Sequence, residues 1–140
     1  MPDAAAPAAN YVPFDRTGHQ LFLSGQLPME AGKIAFTGKL GGGVSVDDGK
    51  AAAKACAINL LAQAKAATGD LGKVVRLVKI VGFVNSTAEF TDQPQVINGA
   101  SDFLVDAMGD AGRHARSAVS AASLPFGAAG EIEAIFEIES

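Results

Sequence analysis

The chain has 140 residues, 49% apolar and 19% charged, with a formal net charge of -4. That balance describes one globular domain and excludes a disordered chain. The acidic excess argues against a protein that holds nucleic acid by neutralising phosphates, and the single cysteine, Cys56, cannot form an internal disulfide and fits a reducing compartment.

The opening MPDAAAPAAN has neither the basic region nor the apolar run of a signal peptide, and no later run is long enough to span a membrane, so a cytoplasmic address without a membrane partner is expected. Residues 1–9 read as a flexible Ala/Pro arm and residues 10–140 as a single domain. A short edge strand is expected over 11–15, and a turn at Arg16-Thr17-Gly18-His19. A strand follows from Gln20 to Leu27, interrupted at Ser24-Gly25 by a bulge or by close approach of another group to the backbone. The chain turns over 28–32 and returns as a strand over 33–37.

Gly41-Gly42-Gly43 invites a phosphate-loop reading but fails it. Five residues rather than four separate Gly43 from Gly49-Lys50, and Ala51 stands where a magnesium-holding Ser or Thr belongs. The loop instead leads to a helix over 46–68, with Ser45 as N-cap, Asp47 and Asp48 in the first turn and Gly69 at the C-terminal end. Its expected apolar stripe is Ala51, Ala55, Ile58, Ala62 and Lys65, broadened by Cys56, Leu60 and Leu61. Residues 74–85, VVRLVKIVGFVN, form the strongest strand and are apolar on both faces, which predicts an interior position. A second helix is predicted over 95–108, with Val96, Ala100, Phe103, Leu104 and Ala107 on its apolar side.

The closing stretch carries two alternating patterns. Arg116, Ala118 and Ser120 share one face of the first; Ile132, Ala134, Phe136 and Ile138 oppose Glu131, Glu133 and Glu137 in the second. With the turn residues Leu124-Pro125-Phe126-Gly127 between them, the simplest reading is a hairpin. Folding about Phe126 and Gly127 would leave Arg116 roughly 20 Å from Glu131 at ~3.3 Å per residue. If the two share a site, it must be assembled between subunits. The element order gives an α+β domain with one mixed sheet and two helices on one face. The uncovered, partly apolar face predicts a second copy of the chain as its partner.

Four short motifs, Ser24-Gly25-Gln26, Ala115-Arg116-Ser117, Leu124-Pro125 and Glu131-Ile132-Glu133, are similar to those of the Rid/YjgF family of reactive-intermediate deaminases, also known as endoribonuclease L-PSP proteins. The resemblance runs from about Tyr11 to Ile138. It implies a chorismate-mutase-like fold, a homotrimer with sites between subunits, and cofactor-free hydrolysis of small enamines or imines to 2-oxo acids and ammonia. In such a protein Arg116 would grip the substrate carboxylate and Glu131 would position or activate water. Tyr11 and Ser24 would line the pocket beside the Gly25 backbone, with Asn98 at the start of the second helix. Ala118 occupies a position that is often cysteine, where the implied contact is made by the main-chain carbonyl. Asp92, Gln93 and Pro94 lengthen the preceding loop, and Ser101 replaces a usual aromatic residue.

His114 shares a face with Arg116 but matches no role in that family, and His19 falls in a turn. Neither has metal-ligand spacing with a cysteine or carboxylate cluster, so no metal is expected. A trimer that binds small carboxylates without turnover is the alternative function. A ribonuclease is the weaker one, because the chain is acidic and lacks paired histidines.

Overall fold

The computed structural model describes residues 1–139, so the last residue of the domain read above lies outside the described residues. A five-stranded mixed sheet carries two helices on one face. Strands β1 (Phe14–Thr17) and β2 (Gln20–Gln26) pair antiparallel around Gly18, whose φ of +59° suits the tight reversal. The edge strand thus begins at Phe14, and Tyr11 and Val12 stay outside it. Two-residue ribbons follow, one pairing Met29–Glu30 with Lys33–Ile34 and the other Lys39–Leu40 with Gly43–Val44.

Helix α1 (Val46–Thr68) takes the expected bounds for the expected reasons. Ser45 Oγ accepts from the Asp48 amide at 3.1 Å, and Gly69, at φ 78°, donates its N–H to the Lys65 carbonyl. Ala55 and Ala62 of the predicted stripe are buried together with Cys56, Leu60 and Leu61, but Ala51 and Lys65 are exposed and the buried face extends instead to Ala53, Ala57 and Ala64. The cause is a second neighbour. The sheet covers one flank of α1 and α2 another, and Gly99 of α2 lies against the Lys50 backbone so closely that no side chain fits between them. Helix α2 (Gln93–Met108) starts two residues before the predicted Gln95. Pro94 sits in its first turn, where the missing amide proton has no intrahelical acceptor. Val96, Ile97, Ala100 and Leu104 are buried, whereas Ala107 is exposed.

Strand β3 (Val74–Asn85) lies in the sheet interior, as its two apolar faces predict. The closing stretch departs from the predicted hairpin. Strand β4 (Ala115–Ala121) runs parallel to β3, and β5 (Gly130–Ile138) pairs antiparallel with its other edge, giving the order β1-β2-β5-β3-β4. Residues 122–129 therefore cross over the end of β3. Asn85, 3% exposed, holds that crossing: its amide N–H bonds Ala129 O, its Nδ2 bonds Ala128 O at 3.1 Å, and its Oδ1 accepts from Lys39 Nζ, which also bonds Ala122 O. A twelve-residue apolar strand with two open edges draws both partners, and hydrogen bonds at the crossing replace those a tight hairpin would make.

Leu77, Ile80, Val84, Ile132 and Phe136 pack on the helix side with α1. Each such side chain contributes about 1.5–3 kcal/mol through burial. The opposite face carries Phe22 (41% exposed), Val81, Phe83, Val119 (44% exposed) and Ile135, with Lys79 and Glu133 among them. No helix among the described residues is long and apolar enough to cross a membrane.

Candidate functional site

The register of β3 separates the two charged groups singled out above. Ile80 pairs with Arg116 and Phe83 with Glu131, so their backbones lie three residues apart along the strand and two strands apart across it. At ~3.3 Å per residue and ~4.8 Å between strands that is about 14 Å. Arg116 faces α2 while Glu131 shares the open face with Glu133. One chain thus keeps them apart because β3 stands between them, and not because a hairpin draws them out.

The Glu131 side is assembled from distant segments. The pairing of β2 with β5 slips between Leu23 and Gln26, and the bulge brings the Gly25 backbone under the Glu131 carboxyl. A methyl group at Gly25 would stand 2.5 Å from Oε2 and 2.9 Å from Cδ of Glu131, so only glycine leaves the carboxyl its place. Tyr11, Gly25, Met29, Ile34, Phe126 and Glu131 line a cavity of about 570 Å³, closed on one side by the arm residues 5–9. Gln63, buried on α1, donates from Nε2 to Ala5 O at 2.8 Å and so ties the arm down. Burial raises the Glu131 pKa above the usual glutamate range, and the nearby Glu133 adds to the rise. No hydrogen-bond donor reaches its carboxyl among the described residues. The Tyr11 hydroxyl accepts a long bond of 3.4 Å from the Ala8 amide. Ser24 donates from Oγ to Val12 O at 2.7 Å and lines a neighbouring hollow with Lys79 and Glu133, outside the Glu131 cavity.

The Arg116 side is built from α2 and β4. The guanidinium donates from Nη1 to Ser101 Oγ at 3.2 Å and from Nη2 to Pro94 O at 3.1 Å. Residues 94, 98 and 101 form one helical stripe, which puts half-buried Asn98 between the two acceptors. Ala118 lies two residues along β4, opposite Gly82. Ser101 Oγ also meets His114 Nε2 at 2.8 Å, and His114 Nδ1 meets Gly112 O at 2.6 Å. The ion pairs found among the described residues are Arg76 with Glu137 and Arg113 with Asp110. Arg116 has no carboxylate partner among the described residues.

The structure therefore groups the expected site residues in two sets, Tyr11, Gly25 and Glu131 in one and Arg116, Asn98 and Ala118 in the other, with Ser24 beside the first. Sequence reasoning set His114 aside, although its parity with Arg116 was visible. It gave no sign that residues 5–9 wall the cavity. Cys56 is fully buried and packed, and burial pushes its thiol pKa far up, so it is inert where it stands. No cluster of three or more His, Cys, Asp or Glu side chains occurs among the described residues.

A family model whose description reads YjgF/chorismate mutase-like, with endoribonuclease as a supposed activity, matches residues 1–136. The protein TCP17 from Trypanosoma cruzi is 50% identical over 141 residues, covering 100% of this chain and 88% of that protein. A crystal structure of a protein of unknown function from Agrobacterium tumefaciens is 56% identical, covers 96% of this chain and 86% of its own, and superposes with a TM-score of 0.93. RidA from an Antarctic Psychrobacter is 26% identical, with 97% and 94% coverage and a TM-score of 0.67. With the family model spanning nearly its whole length, the chain belongs to the YjgF/chorismate mutase-like family and has that family's α+β fold.

Proposed function

We propose that the protein hydrolyses small carboxylate-bearing enamines or imines to 2-oxo acids and ammonia, without a cofactor, in clefts between the subunits of a homotrimer. The observation that carries this reading is a pair of unfinished half-sites. Among the described residues, a guanidinium held only by neutral oxygens lacks an anion, and a half-buried carboxyl with a raised pKa lacks a donor. They lie on opposite faces of one sheet, so a second copy against the open face is the economical way to bring one of each together. The exposed Phe22 and Val119 on that face support such packing. The name RidA of one relative supports the chemistry.

In this scheme Arg116 receives the substrate carboxylate through paired N–H groups. Glu131, able to hold a proton closer to neutrality than a free glutamate, exchanges it with water and the substrate. An enamine first takes a proton at its β-carbon and becomes the imine. Water adds to the C=N carbon as the nitrogen takes a proton, and the C–N bond then breaks as the new hydroxyl gives up its proton, leaving the C=O of the 2-oxo acid and releasing ammonia. Tyr11, Ser24, Asn98 and the Ala118 carbonyl would shape the rim, and Gly25 admits the carboxyl.

Freshly generated 2-aminoacrylate should yield pyruvate and ammonia faster with the protein than without it. Arg116→Ala is expected to lower kcat/KM at least ~100-fold, since a bond to a charged group is lost from both bound states. Sedimentation should give about three times the chain mass of 14.2 kDa. No acceleration with any carboxylated imine, or a 14.2 kDa particle, defeats the proposal. A second reading, a carboxylate-binding trimer without turnover, draws on the Ser24 hydroxyl proton being committed to the Val12 carbonyl, which withdraws it from proton transfer. Binding of a 2-oxo acid with no turnover would select it. Cleavage of RNA lost in Arg116→Ala would favour the ribonuclease name instead.

A further inference from the structure

We propose that Ser101 and His114 are positioning residues that set the orientation of the Arg116 guanidinium, which rests on the reading that Arg116 receives a carboxylate. With the imidazole neutral, the polarity of the contacts sets the direction of each proton. Gly112 O can only accept, so at 2.6 Å His114 Nδ1 carries the hydrogen. In the neutral ring Nε2 then presents a lone pair, and Ser101 must donate its one hydroxyl proton there, at 2.8 Å. The oxygen lone pairs of Ser101 are left for Arg116 Nη1, which has nothing but protons to offer. The chain of bonds runs one way, from Arg116 through Ser101 and His114 to the backbone at Gly112, and each link polarises the next.

Pro94 O takes Nη2 from the other end of the same helical stripe. Two acceptors on one rigid helix fix the plane of the guanidinium as well as its position. They use two of its five N–H groups and leave three without partners among the described residues. A carboxylate in place of Ser101 would hold the arginine as firmly but cancel the charge a ligand needs. The ion pairs of Arg76 with Glu137 and of Arg113 with Asp110 show that alternative. A neutral cradle orients the cation and keeps it available.

Ser101→Ala, Ser101→Thr, His114→Leu and His114→Gln in the full chain test this. Carboxylate contacts are made in ground and transition state alike, so Ser101→Ala should raise KM about ten-fold with kcat nearly unchanged. It should weaken 2-oxobutanoate binding, read by calorimetry, by a similar factor. Ser101→Thr keeps the hydroxyl and should restore both. His114→Gln, with an acceptor near the Nε2 position, should sit close to wild type, and His114→Leu close to Ser101→Ala. Imidazole nitrogen NMR of the free protein should show hydrogen on Nδ1 of His114. Equal KM and Kd in Ser101→Ala and wild type, or hydrogen on Nε2, overturns the proposal. Wild type that binds 2-oxobutanoate but turns nothing over, with binding still weakened in Ser101→Ala, defeats the deaminase reading and leaves the positioning role standing. A wild type that binds no such acid overturns both.

Discussion

The side-chain hydrogen bonds of Arg116 go to residues 94 and 101 of α2, and Ser101 is tied in turn to His114 and through it to Gly112, while the walls around Glu131 come from residues 5–34 and 125–131. The first region is a local, fully directed set of hydrogen bonds on a helix. In the second, a hollow formed where an arm, a bulge and a crossing loop meet, the charged group receives no bond from any side chain or backbone among the described residues. Bonded in this way, a cation is preorganised and loses little on meeting an anion. A carboxyl without donors is held up in pKa and primed to exchange a proton. The contrast teaches that the two roles proposed for these groups, receiving an anion and exchanging a proton, call for opposite surroundings, which one sheet supplies on its two faces.

The sharpest way to break the contrast is to disturb the hollow without touching the cradle. Gly25→Ala would set a methyl group against the end of a flexible side chain, so Glu131 swings aside while the backbone, not at positive φ, accepts alanine. A displacement of that size at an acid-base group is expected to cut kcat about 100-fold, with Tm and 2-oxo acid affinity nearly unchanged. Turnover that matches wild type would mean that the carboxyl position does not matter to the chemistry.

The crossing loop offers a smaller effect of a different kind. Asn85→Leu removes the bonds to Ala128 O and Lys39 Nζ and leaves both partners short of one bond near a buried position. About 2–3 kcal/mol of stability should be lost, seen as a lower midpoint in urea with an unchanged slope. The Arg116 cradle, which shares none of these bonds, should keep its His114 NMR signature in the folded fraction. Should that signature vanish while the fold persists, the two regions are coupled and the comparison is wrong.

What could be read beforehand follows the same division. Helix α1 was legible to the residue because Ser45, Asp47, Asp48 and Gly69 each act through nearest neighbours. Strand β3 was legible because twelve residues apolar on both faces admit few other readings. Alternation in 115–121 and 130–138 gave the correct faces, since parity is a property of one strand. It could not give the neighbours, because a strand flanked by β3 and one folded back as a hairpin have the same period. Parity likewise put His114 beside Arg116, but the bond between them runs through Ser101, and only the packing of α2 on β4 brings that hydroxyl into line. For the wall made by residues 5–9 there was no local signal; a run of alanines and prolines says nothing of where it lies.

The smallest effect tests the electrostatic half of the contrast. Burial, reinforced by Glu133, raises the pKa of Glu131 in the folded chain above its value when unfolded. Between those two values the folded state binds more protons, so stability falls as pH rises through the window, and above it the cost of a buried charge is fully present. Glu131→Gln removes the charge, so the variant should melt above wild type at pH 7. The gain should shrink as pH falls and vanish below the ordinary glutamate range, about pH 4. A constant difference between pH 3.5 and pH 7 would assign the effect to packing instead of ionisation. The opposite sign at pH 7, a loss on substitution, would mean that a cation stands against Glu131 in solution and holds it ionised. The carboxyl would then act as a fixed negative charge and as a base for water, but not as the proton donor to the leaving nitrogen.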